Sequence, residues 1–86
     1  MDMQVSVDFS LFPVCDQVSI FPYVEACQRV LTECELSHEL HAWGTIIHGE
    51  WDQVFLAIEK CHQTVHALGA ERITSSVKIG TRQEVS

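Results

Sequence analysis

The imidazole of His62 and the hydroxyls of Thr45 and Ser75 stand among apolar neighbours and pose the chemical question of this chain. Thr45 shares an alternating run with Ile47, and Ser75 shares another with Ile73, Val77 and Ile79. A buried hydroxyl left without a partner costs about 1 to 3 kcal/mol, so each must bond either to backbone or to a ligand. Thr and Ser can satisfy themselves on nearby carbonyls, whereas polar groups converging inside an apolar pocket are what a small heterocycle requires. His62 lies on an apolar helical stripe, four residues after Ile58. It reads either as a core histidine bonded to a carbonyl or as a donor lining a pocket.

The stretch His41–Phe55, "HAWGTIIHGEWDQVF", adds further candidates. Glu50, Trp51 and Asp52 open a helix, where acidic residues complement the positive end of the dipole for about 0.3 to 1 kcal/mol each. That explains Asp52; Glu50 keeps a second possibility, a carboxylate that pairs with a ligand. Trp51 is expected as a core anchor, and Trp43 at a subunit contact or beside a ligand. His62 and His66 are four apart, a spacing that can serve one metal, but no third ligand or intervening zincin Glu accompanies them, so no metal site is expected. Catalysis finds little support, because the chain has no glycine-rich phosphate loop, no G-x-S-x-G and no H-E-x-x-H. Cys61 and His62 are also adjacent on a helix, about 100° apart, which is poor geometry for a nucleophile and its base.

These residues belong to a short acidic chain of 86 residues with net charge -7 and 47% hydrophobic residues. That length makes one domain, residues 1–86, with a thin core that oligomerisation would help to cover. Five Lys and Arg against twelve Asp and Glu argue against a phosphate backbone as partner and favour a neutral or cationic one. No basic-then-apolar leader opens the chain, and no apolar run reaches the roughly 20 residues of a bilayer span. A soluble, cytoplasmic protein with free thiols is expected, since Cys15, Cys27, Cys34 and Cys61 form no C-x-x-C pair.

The elements that must position the candidates follow from periodicity. Met3–Phe12 alternates as a half-buried strand, with Met3, Val5, Val7, Phe9 and Leu11 on one face, and Pro13 is expected to end it before a loop "VCDQV". Ser19 can cap a helix in which Ile20, Tyr23, Val24, Cys27, Val30, Leu31 and Cys34 form the apolar stripe, with Gln28 on the polar side. Leu36–Ala42 alternates again, Gly44 is expected to supply a turn or bulge, and "TIIHG" makes a third strand. From Trp51 to Leu68 a second amphipathic helix runs to a C-cap at Gly69, and "RITSSVKIG" makes a fourth strand. The order is that of an α+β, ferredoxin-like βαββαβ sandwich: a four-stranded antiparallel sheet with two helices on one face. Trp43, Ser6, Asp8, Thr74 and Ser76 are expected on its bare face.

"GTIIHGEWDQV", then "KCH", "LGAERI" and "VKIGTR", resembles the small thiamine-binding protein family from about Val5 to Arg82. The resemblance implies a ferredoxin-like protein that associates into dimers or tetramers and binds thiamine or its hydroxymethylpyrimidine part. With it, the residues point to a non-catalytic ligand-binding module holding that ligand through Thr45, His62 and Ser75, with Glu50 and Trp43 as further participants. No resident cofactor, nucleic acid or membrane is expected. Two other readings stay open: an enzyme of the dimeric α+β barrel type, such as a small monooxygenase, and a purely structural oligomerisation domain.

Overall fold

A computed structural model describes residues 3–14 and 20–83. Its elements are β1 (Gln4–Val14), α1 (Phe21–Glu33), β2 (Ser37–His41), β3 (Gly44–Glu50), α2 (Trp51–Ala67) and β4 (Arg72–Thr81). The strands form one antiparallel sheet in the order β2-β3-β1-β4, the ferredoxin-like arrangement anticipated from the sequence. The period of two carries Val5, Val7 and Phe9 of β1 to one face, where Ile47 of β3 joins them. Both helices press on that face through Tyr23, Cys27, Val30 and Leu31 of α1 and Val54, Ala57, Ile58, Cys61 and Val65 of α2.

Both helices end in the same way. Gly69, at φ 114°, donates to the His66 carbonyl, and Ala70 donates to that of Val65. Glu35, at φ 58°, donates to Thr32, and Leu36 donates to Leu31. These paired bonds satisfy carbonyls that a helix end leaves open, and they turn the chain back toward the sheet. The expected Gly69 cap is thus observed, and Glu35 fills the equivalent place on α1.

Several local expectations are corrected. β1 does not stop at Pro13 but runs on to Val14, with Pro13 opposite Ile73. The last β1–β3 pair is Phe9 with Thr45, so beyond it one side of β1 has no neighbour that needs an N–H, and a proline is tolerated there. The β2–β3 turn is made by Ala42 and Trp43, while Gly44 already pairs with His41 as the first residue of β3. Glycine is required at this position because an added Cβ would stand 2.6 Å from the Phe9 carbonyl oxygen of the adjacent strand. Trp43 accordingly projects from the turn instead of lying on the bare sheet face, and 84% of it is exposed. Trp51 is not a core anchor: it is exposed and stacks on Phe55 at 4.9 Å. The proposed Ser19 cap and Cys15 lie outside the described residues, and the residue before α1, Ile20, makes no side-chain cap bond.

Candidate functional site

β1 extends past its last β3 partner, and among the described residues that end of the sheet is only partly covered. A cavity of about 530 Å³ opens there between β1, α1 and the β2–β3 turn. Phe9, Leu11, Tyr23, Cys27 and Leu31 form its apolar body. Phe12, Phe21 and Trp43 stand exposed around it, as do Ile20 and Leu40. Among the described residues no Lys, Arg, Asp or Glu lines it.

Polar groups enter the cavity at few points. Thr45, 5% exposed, is the buried polar residue of the described core, and its Oγ1 accepts a 2.8 Å hydrogen bond from Nε2 of Gln28. Thr45 reaches this place because the β3 alternation puts it on the helix-facing side with Ile47. Gln28 comes from the opposite wall, one helical turn after Val24 and one before Leu31, both cavity-lining residues. Its assignment to the solvent side of α1 is therefore corrected: it sits at the boundary of the stripe. The i, i+4 spacing from Val24 was the available signal, and it was masked by Gln28's neighbours Arg29 and Glu25, which are exposed and paired with each other at 3.5 Å.

The turn that carries Trp43 is strapped to β1. Ser10 Oγ donates to the Trp43 carbonyl at 2.7 Å, and the Trp43 N–H donates to His41 Nδ1 at 3.2 Å. With Nδ1 accepting, the neutral His41 carries its proton on Nε2, which donates to Asp8 Oδ1 at 2.9 Å. The Trp43 backbone is held while its indole stays free.

The remaining expected site residues lie elsewhere. His62 Nε2 and Ser75 Oγ meet at 2.9 Å between α2 and β4, so each is the other's partner. Burial, and secondarily the nearby His66, holds the His62 imidazole below its usual value of 6.5. Neither residue lines the cavity, although Phe9, which does, lies 6.3 Å from the His62 ring. Glu50 ends β3 beside a smaller hollow of about 250 Å³ lined with Met3, Trp51 and Asp52. Of the five residues singled out, the structure thus brings Thr45 and Trp43 to one cavity, pairs His62 with Ser75 outside its lining, and leaves Glu50 at a separate place.

Three thiols are described, and two of them, Cys27 and Cys61, are buried. Cys27, Cys34 and Cys61 are free, and Cys61 points its Sγ at the Cys27 carbonyl, 3.9 Å away, in the interface of the two helices. Its bonding to Cys27, then burial, pushes the Cys61 thiol up, away from the reactive thiolate. Among the described residues no group of three or more His, Cys, Asp or Glu is placed to hold a metal ion, and no helix is long and apolar enough to cross a membrane.

Comparison with known proteins agrees with this architecture. A UPF0045 protein of Synechocystis sp. is 54% identical over 82 residues, which span 95% of this chain and 68% of the relative. A hypothetical protein of Methanocaldococcus jannaschii superposes with a TM-score of 0.87 at 28% identity, covering 98% of this chain and 86% of that one. A Thermotoga maritima protein described as a candidate thiamine biosynthesis/salvage protein shares the fold, with a TM-score of 0.78 at 13% identity over 88% of this chain and 81% of that one. The family model for thiamine-binding proteins matches residues 7–86, and the chain belongs to that family.

Proposed function

We propose that this protein is a non-catalytic small-molecule binder whose ligand is thiamine or its hydroxymethylpyrimidine part, held in the cavity between α1, β1 and the β2–β3 turn. The observation that carries the reading is the cavity itself: about 530 Å³, apolar in its body, with one buried hydroxyl and one carboxamide brought together inside it. Small-molecule sites commonly measure roughly 300 to 1,000 Å³ and join apolar walls to a few placed polar groups. Membership of the thiamine-binding family supports the ligand class. The lack of Lys and Arg among the described lining residues fits a neutral or cationic heterocycle better than an anion.

The non-catalytic part of the reading rests on what faces the cavity. Neither of the described hydroxyl–imidazole pairs, His62 with Ser75 or Ser6 with His48, lines it, and the Cys61 thiol is buried and shifted away from ionisation. A purely structural role has less support, since the side chains of the described residues leave the cavity unfilled. We further propose a homo-oligomer, because the outer face of the sheet, with Ser6, Asp8, Ile46 and Lys78, has no covering layer among the described residues.

Titration calorimetry with thiamine and with hydroxymethylpyrimidine tests the reading. Binding to the native chain is expected, and Thr45→Val, which keeps the shape and removes the hydroxyl, should weaken it by roughly 5- to 100-fold. No heat of binding up to millimolar ligand would remove the proposal.

A further inference from the structure

The cavity has two chemically different ends. The Gln28–Thr45 hydrogen bond is partly buried, whereas Trp43, Phe21 and Phe12 are 84%, 67% and 53% exposed. We infer that the ligand enters with its aminopyrimidine ring toward Gln28, whose carboxamide reads the amino-bearing edge of that ring, and leaves its cationic ring among the exposed aromatics. The inference rests on the ligand class proposed above and adds the orientation and the residue that selects the ring.

The hydrogen-bond inventory supports this choice. A glutamine carboxamide offers two N–H donors and one carbonyl oxygen. One N–H serves Thr45 Oγ1 at 2.8 Å, and the side chain makes no other hydrogen bond to a described residue. The second N–H and Oε1 remain on the same planar group, a donor and an acceptor available to a ligand. An aminopyrimidine presents the complement, a ring nitrogen that accepts beside an amino group that donates. The same two-point match lets Asn and Gln recognise adenine through its N6 and N7. Thr45 anchors the carboxamide from the opposite wall, so less side-chain freedom is lost when the ligand arrives.

Among the described residues, the other end has no carboxamide anchored as Gln28 is. His41 is engaged with Asp8 and with the Trp43 N–H. The Trp43 backbone is fixed on both sides by His41 and Ser10, which presents the indole at the cavity without tying it down. An aromatic face attracts a delocalised cation, and a chain of net charge -7 does not repel one. A thiazolium ring fits that rim, and a pyrimidine fits the inner end.

Calorimetry on Gln28→Leu with both ligands tests the assignment. Because the contact belongs to the ring that thiamine and hydroxymethylpyrimidine share, both should weaken by the same factor, roughly 10- to 100-fold, with their affinity ratio unchanged. In the native protein, the side-chain amide NMR signals of Gln28 should shift on addition of hydroxymethylpyrimidine alone; this measurement decides the matter if the variant does not fold. Native affinity in Gln28→Leu, loss confined to thiamine, or unmoved Gln28 signals at saturating hydroxymethylpyrimidine would each overturn the inference while leaving the proposed ligand class standing. A native chain that binds neither ligand removes both.

Discussion

A methyl group is the smallest probe of how tightly the site is built. At Gly44 an added Cβ meets the Phe9 carbonyl oxygen at 2.6 Å, and backbone must move; at Gly49 it meets the end of the Leu36 side chain at 2.7 Å, which can swing away. Gly44→Ala should therefore cost about 1 to 3 kcal/mol, in the range of overpacking, and Gly49→Ala distinctly less, as read by denaturant midpoints. His62 provides a second test. Its folded-state pKa is lowered by burial and then by His66, so as pH falls the unfolded chain takes up the proton first. The stability that the neutral imidazole contributes is complete above 6.5 and is lost as the pH falls below that value toward the lowered folded one. His62→Gln should accordingly flatten the fall in melting temperature between about pH 7 and pH 5; an unchanged slope would show that other groups set it. The site was legible in part at this level. Thr45 stood out as a lone hydroxyl in an apolar alternation, but Gln28 did not, because a long side chain at a stripe boundary can reach either way. Neither could spacing tell that His62 and Ser75, on different elements, satisfy each other.

The strands and helices were largely legible because burial on one face of a sheet and one stripe of a helix imposes periods that survive in sequence. The misreadings fell where tertiary neighbours decide the outcome. Pro13 reads as a stop in the sequence because its tolerance depends on where β3 ends, and Trp43 reads as a sheet-face residue because a two-residue turn interrupts the alternation between β2 and β3. The cap of α1 yields a prediction of its own. Glu35 holds φ 58° with a Cβ that disfavours this conformation, whereas Gly69 occupies the matching place after α2. Glu35→Gly should raise stability by about 0.5 to 1 kcal/mol, net of the extra freedom it gives the unfolded chain. A lower melting temperature would mean that the Glu35 side chain contributes more than the backbone costs.

The molecule as a whole is elongated, 51 × 21 × 18 Å, with one sheet face under the helices and the other carrying polar groups such as the Ser6–His48 contact at 2.9 Å. A two-layer sheet of this size with a bare face and a thin core is served by a second copy. Light scattering should return a mass of at least two chains, and a monomer at micromolar concentration would remove the oligomer from the proposal. The claim on which the function rests is that the open end between α1, β1 and the β2–β3 turn receives a small heteroaromatic molecule. Backbone and indole NMR signals followed during a thiamine titration test that most directly. Shifts should concentrate on Leu11, Gln28, Gly44, Thr45 and the Trp43 indole; shifts confined to the outer sheet face around Ser6 and His48, or none at saturating ligand, would contradict it.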